Sequence, residues 1–161
     1  MNLKMPALQA ALEEDGFTEV KTLLSSGNVV FSGRRMSDTA IEKKVVATIE
    51  KNVAKTFGVI VRSIDELQAL IDAEPYGAFR LPAGSKRVVT FLRKEPEKRL
   101  KLPPELDGAR IWTVRGREAL SSYVRNDKGP VFMALIEKTF GKDVTTRTWD
   151  TVLKVVKAGV G

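Results

Sequence analysis

The stretch SSGNVVFSGRR, residues 25–35, decides how the first half of this chain is read. Two glycines, several small polar side chains and two arginines invite comparison with a phosphate-binding loop. Such a loop must run straight into a helix and end on a Lys-Ser/Thr pair. Here Gly27-Asn28 is followed by Val29-Val30-Phe31, β-branched and aromatic residues that favour a strand. Gly27 and Asn28 also tolerate the positive φ of a tight connection. The stretch therefore predicts a hairpin, with strands over 19–24 and 28–32 joined through Ser25-Ser26-Gly27. Its last residues, Gly33-Arg34-Arg35, stand just before Ser37, a good helix N-cap. A helix start offers free N–H groups, and Arg34 and Arg35 are candidates to complete an anion site there, although the plainer reading is a solvated loop whose arginines touch nothing.

Working outward, Met5, Leu8 and Leu12 share one face of a first helix. Gly16 is placed to terminate it, with Phe17 closing back on Leu12. Ile41, Val45, Ile49, Val53 and Phe57 form the buried stripe of a second helix, ended by Gly58. Val59-Ile60-Val61 predicts a short buried strand. Ser63 and Glu66 make a capping box for a third helix carrying Ile64, Leu67 and Ile71. Residues 75–86, with two prolines and two glycines, predict a linker. Beyond it, strands are expected over 87–92, 109–114 and 117–124, the last two paired across Arg115-Gly116. Residues 93–107 are charged and proline-rich, with room for one short helix. A helix opens at Pro130 and ends at Gly141. The last helix carries Trp149, Val152, Leu153 and Val156, with Thr146 or Thr148 placed to cap it.

Composition narrows the chemistry. The chain has 161 residues, and 43% apolar content is enough for a packed core. No apolar run approaches a membrane span, and the N-terminus has no signal-peptide core, so a cytoplasmic location is expected. Cysteine and histidine are both absent. The common zinc sites and the Ser-His and Cys-His nucleophile pairs are thereby excluded, and no metal site is expected. Acid–base chemistry would fall to Asp, Glu, Lys or Tyr with shifted pKa values. The net charge of +7 permits attraction to nucleic acid or another polyanion through Arg34/Arg35, Lys86/Arg87, Arg93/Lys94, Lys98/Arg99/Lys101 and Arg115/Arg117. Phe31, Phe91 and Trp112 are strand aromatics in apolar runs, and all three are read as core.

Other motif matches fail on spacing. Gly84-Ser85-Lys86 lacks the leading glycine of a P-loop, because residue 79 is Phe. Tyr123 and Lys128 are one residue too far apart for a dehydrogenase pair, and no dinucleotide fingerprint precedes them. Glu13, Glu14 and Asp15 diverge around a helix end, and Glu105 and Asp107 are read as solvated loop charges.

Three stretches carry a family resemblance: LKMPALQAALEEDGF at 3–17, SSGNVVFSG at 25–33 and TTRTWDTVLK at 145–154. In this order and at these separations the chain resembles the bacterial domain of unknown function 1697 family. The resemblance implies an α+β fold of two ferredoxin-like subdomains and brings no activity or cofactor with it. Family members usually begin with a further strand and a glycine-rich loop ahead of the Lys-Met seen here as Lys4-Met5. Asn often flanks the Trp that stands here as Trp149, where this chain has Thr148 and Asp150.

The expectation is thus an α+β protein of two ferredoxin-like α/β subdomains, 1–75 and 87–161, the first lacking its initial strand. An open strand position predicts a homodimer that covers the edge, or low stability. The function expected is non-catalytic binding of a partner or ligand. The alternatives are a weak nucleic-acid or polyanion binder and an enzyme using carboxylate, Lys or hydroxyl groups. Candidate binding residues are Ser26, Gly27, Asn28, Arg34, Arg35, Arg147 and Trp149.

Overall fold

Helix α1 (Met5–Glu14) ends as its sequence requires. Gly16 adopts a φ of 98°. The Phe17 N–H then reaches the Leu12 carbonyl and the Gly16 N–H the Glu13 carbonyl, each at 3.1 Å. This pair of bonds is the Schellman ending, and it sets Phe17 against the helix it follows. The computed structural model describes residues 5–23, 28–32, 37–52, 59–96, 101–125 and 131–160. It is a mixed α+β protein of two compact units, 1–68 with 153–161 and 69–152.

In the first unit β1 (Thr18–Leu23) and β2 (Asn28–Ser32) form the antiparallel hairpin predicted from Val29-Val30-Phe31. The β1 register shifts between Thr18 and Lys21, where Glu19 has a φ of 51°. The Glu19 carboxylate accepts a hydrogen bond from Ser32 Oγ across the irregularity. Helix α2 (Asp38–Asn52) starts at Ser37, whose Oγ accepts the Ala40 N–H at 3.2 Å. Leu8, Leu12, Phe17, Val20, Val45 and Ile49 make the core, with Val29, Phe31, Ile41 and Val59 packed against it. Val53, Phe57 and Gly58 lie outside the described residues.

Residues 59–61 are not a strand. The Val61 N–H is bound by the carboxylate of buried Glu42 on α2, which gives this segment a side-chain partner in place of a ladder. Helix α3 (Ile64–Asp72) opens at Ser63, whose hydroxyl accepts the Glu66 N–H and donates to the Glu66 carboxylate.

The second unit holds an antiparallel sheet of four strands: β3 (Lys86–Leu92), β4 (Ala109–Arg115), β5 (Glu118–Tyr123) and β6 (Val144–Thr148). Their spatial order is β4-β5-β3-β6. The β4–β5 hairpin turns at Gly116, which has a φ of 58°, as the paired strands across Arg115-Gly116 predicted. Strand β6 is a correction to the sequence reading, which gave its threonines to helix capping alone. Thr148 does cap: its Oγ1 accepts the Thr151 N–H at the start of helix α5 (Trp149–Val160). Helix α4 (Val131–Phe140) lays Phe132, Leu135 and Ile136 over Val88, Ala109 and Ile111. Arg93 and Asp143 join the far ends of β3 and β6 by two hydrogen bonds of 2.8 and 3.0 Å. That pair holds the Asp143 carboxyl below its usual pKa, and its exposure limits its worth to less than about 1 kcal/mol. Residues 93–96 and 101–107 contain no helix.

The stretch 75–86, predicted as a linker, lies wholly inside the second unit. Tyr76 anchors it, donating its buried hydroxyl to the Val88 carbonyl at 2.6 Å. Conversely, the last turns of α5 belong to the first unit. There Lys21 Nζ caps the Ala158 carbonyl, and Gly159 faces Ile64 of α3 so closely that a Cβ would fall 2.5 Å from its Cδ1. Among the described residues no helix is long and apolar enough to cross a membrane.

Two stability predictions follow from this packing. Gly159→Val is expected to cost about 1–3 kcal/mol in urea unfolding, because Ile64 must move. Ile64→Ala should recover part of that loss in the double variant, and strictly additive effects would contradict the contact. Ser121 Oγ is fully buried and has no hydrogen-bond partner, on the face that Val88 and Ile111 share with α4. Ser121→Ala is expected to be neutral or to stabilise by about 1 kcal/mol, since it removes an unsatisfied hydroxyl. A loss of more than about 1 kcal/mol would show that the hydroxyl has a partner.

Candidate functional site

The opposite face of the second sheet carries the charge. In the register, Arg87 of β3 and Arg110 of β4 both lie opposite Ser122 of β5. Residues directly opposite one another in antiparallel strands project to the same side. Arg110, Ser122 and Arg87 therefore form one row across three strands, with the two arginines about two strand spacings apart, roughly 10 Å. Ser122 is buried and both arginines are exposed.

Trp112, two residues along β4 from Arg110, projects to the same side and joins this row. Ile111 pairs with Ser121 and Thr113 with Leu120, so Trp112 is the extra residue of β4. Strict alternation would place positions 111 and 113 together; the bulge breaks it and re-aims the side chains. The Trp112 indole donates its Nε1–H to Ser122 Oγ at 2.8 Å, which fixes the ring beside the serine. Arg110 lies over that ring at 4.0 Å from its centroid, and Phe79 stacks on it at 5.0 Å with planes 29° apart.

Arg87 has its own aromatic support. It lies 5.9 Å from the Tyr76 ring centroid, and Tyr76 meets Trp149 edge-on at 5.3 Å. Burial pushes the Tyr76 hydroxyl far above the ordinary phenol range. Its hydrogen bonds to backbone at Ser121 and Val88, and the charge of Arg87, offset only part of this. Among the described residues no carboxylate forms an ion pair with Arg87 or Arg110. The row is therefore a pair of solvent-facing cations, each seated on an aromatic ring and separated by one small buried hydroxyl.

Of the residues singled out in the sequence, Ser26, Gly27, Arg34 and Arg35 lie outside the described residues. Asn28 begins β2 in the first unit. Arg147 sits on β6 opposite Val89, one row along from Arg87 and on the same face. It is half-buried, donates to the Thr146 carbonyl at 2.8 Å, and burial lowers its pKa. Trp149 is buried, 6% exposed, and supports Tyr76. The sequence reading included Arg87 among its basic groups but missed Arg110 and Phe79. It also placed Trp112 in the core, whereas Phe91 is buried and Phe31 packs on the first core as expected. Among the described residues no cluster of Asp or Glu is arranged to hold a metal ion.

The family model described as Protein of unknown function (DUF1697) matches residues 1–118. The chain belongs to this family. The match takes in Arg87, Arg110 and Trp112, while Ser122, Arg147 and Trp149 lie beyond its end. A solved structure described as that of conserved bacterial protein SP0830 from Streptococcus pneumoniae is similar to this DUF1697 chain with a TM-score of 0.72. The likeness covers 99% of this chain and 91% of that one at 15% identity, and it speaks to the fold alone. No curated protein matches the chain.

The burial of Tyr76 has a direct optical test. The chain has two tyrosines, Tyr76 and Tyr123. In a Tyr123→Phe variant the remaining phenol should stay un-ionised at about pH 11, one unit above the ordinary value of about 10. The raised folded pKa means that this part of the stability is kept below the ordinary phenol pKa and lost as pH rises above it. Absorbance at 295 nm should therefore rise together with loss of tryptophan near-UV dichroism. Ionisation near pH 10 with the fold intact would show an accessible hydroxyl.

Proposed function

We propose that this protein is a non-catalytic binding module whose ligand is anionic and rests on the Arg110–Ser122–Arg87 row. The observation that carries this reading is the pairing of two exposed arginines, each over an aromatic ring and neither ion-paired with a described carboxylate. A guanidinium held over a ring keeps its outward N–H donors directed at solvent, and loses less side-chain freedom on binding than one on a free stem. The overall charge of +7 adds long-range attraction. The expected location is the cytoplasm, supported by the absence of cysteine.

The finer fold is part of the same reading. In chain order the sheet of the second unit runs second-third-first-fourth, with α4 between its third and fourth strands. That is the strand order of a ferredoxin-like unit in which the first crossover lacks a described helix. In the first unit the succession α1-β1-β2-α2 supports a ferredoxin-like unit of the same kind.

The test is a titration of the whole protein with a medium-chain polyphosphate at about 50 mM salt, followed by calorimetry and by tryptophan emission. Binding should weaken linearly in log K against log salt. A variant with Arg87→Ala and Arg110→Ala should lose at least tenfold in affinity. A control with Lys154→Ala and Lys157→Ala carries the same net charge and should bind nearly as the parent does. No binding at this salt, or equal losses in the two variants, would overturn the reading.

A further inference from the structure

We propose that the anionic ligand of this face is single-stranded nucleic acid, with an unpaired base stacked on the Arg110–Trp112 pair and the adjoining backbone phosphate held by Arg87. The proposal rests on the anion-binding reading and sharpens it. An inorganic polyanion needs only the two charges. The row offers more than charge, because each guanidinium comes with a ring. Trp112 shares the face of Arg110, two residues before it on β4, and is locked by its bond to Ser122, extended by Phe79 and capped at 4.0 Å by the Arg110 guanidinium.

A planar guanidinium lying on an indole presents its second face outward. A nucleobase stacks on such a face, or on an aromatic ring, whatever its sequence. Within a duplex each base is already stacked on its neighbours and offers no free face; an unpaired base does. The sheet edge suits a strand that runs past it, because Arg110 and Trp112 both belong to β4, which ends the order β4-β5-β3-β6. The buried Ser122 between Arg110 and Arg87 leaves no bulky side chain in that row.

The experiment compares three probes at one salt concentration: a fluorescein-labelled oligothymidylate of about 15 nucleotides, the same strand annealed to its complement, and polyphosphate of matched chain length. The first two are followed by anisotropy and the third by competition. The single strand should bind about tenfold tighter than either other probe and quench tryptophan emission. Arg110→Lys keeps the charge and removes the plane. It should cost the single strand about tenfold and polyphosphate no more than about threefold, because the charge remains. Its melting temperature should match the parent's, because Arg110 is exposed. Equal affinity for all three probes, a preference for the duplex, or an Arg110→Lys variant that binds oligothymidylate normally would overturn this proposal while leaving anion binding intact. Binding to none of the three would overturn both readings together.

Discussion

Strand β3 is hydrogen-bonded along both edges, to β5 on one side and β6 on the other, and the second unit is organised by that constraint. A strand paired twice cannot slip, because a shift of one residue would turn every side chain to the wrong face. Val88 then looks towards Phe132, Leu135 and Ile136 of α4, and Arg87 is committed to the other face. Ser121 and Ser122 divide in the same way, one into the apolar layer without a hydrogen-bond partner and the other between two arginines. Only an edge strand is free to break the alternation, since it has one neighbour to satisfy. The bulge at Trp112, which leaves Thr113 opposite Leu120, is in β4, at that edge.

Much of this was legible locally. Gly16 with Phe17, Ser37, and Ser63 with Glu66 each sit at a helix end where orphan backbone groups demand a particular residue type. The hairpin over 28–32 followed from β-branched residues after a flexible Gly-Asn. Such signals are short-range, so the sequence displays them. The failures all involve a partner distant in the chain. Val59-Ile60-Val61 has strand composition, but its N–H at Val61 is taken by Glu42, nineteen positions earlier. Val144–Thr148 is poor in large apolar residues and reads as a cap, yet β3 supplies a complete ladder for it. Residues 75–86 have linker composition, and nothing local shows that Tyr76 will bond the Val88 carbonyl or that Phe79 will meet Trp112.

The candidate site was hidden for the same reason. Its residues come from the 75–86 segment and from three neighbouring strands whose order in the sheet, β4-β5-β3, differs from their order in the chain. Trp112 stands in Ile-Trp-Thr-Val, an apolar run in which core is the natural reading. With strict alternation, Ile111 and Thr113 would share the core face, and Trp112 would stand with Arg110 on the other. The extra residue in β4 instead leaves Thr113 opposite Leu120, while Trp112 keeps its bond to Ser122. The family match does not resolve this, because it ends at residue 118, before Ser122.

Arginine type alone would not have found the site either, because arginines in this one unit do different jobs. Arg93 meets Asp143 in a two-point ion pair, and a charge so matched adds little to the outward field while tying β3 to β6. Arg147 is half-buried and bonded to the Thr146 carbonyl, so much of its donor capacity is turned inward and burial already weighs against its charge. Arg87 and Arg110 are exposed over rings. A ring draws a cation through its quadrupole without cancelling its charge, whereas a carboxylate cancels it. Aromatic support therefore fixes the position of a guanidinium and leaves its field intact, and that combination distinguishes these two residues from the others in the same sheet.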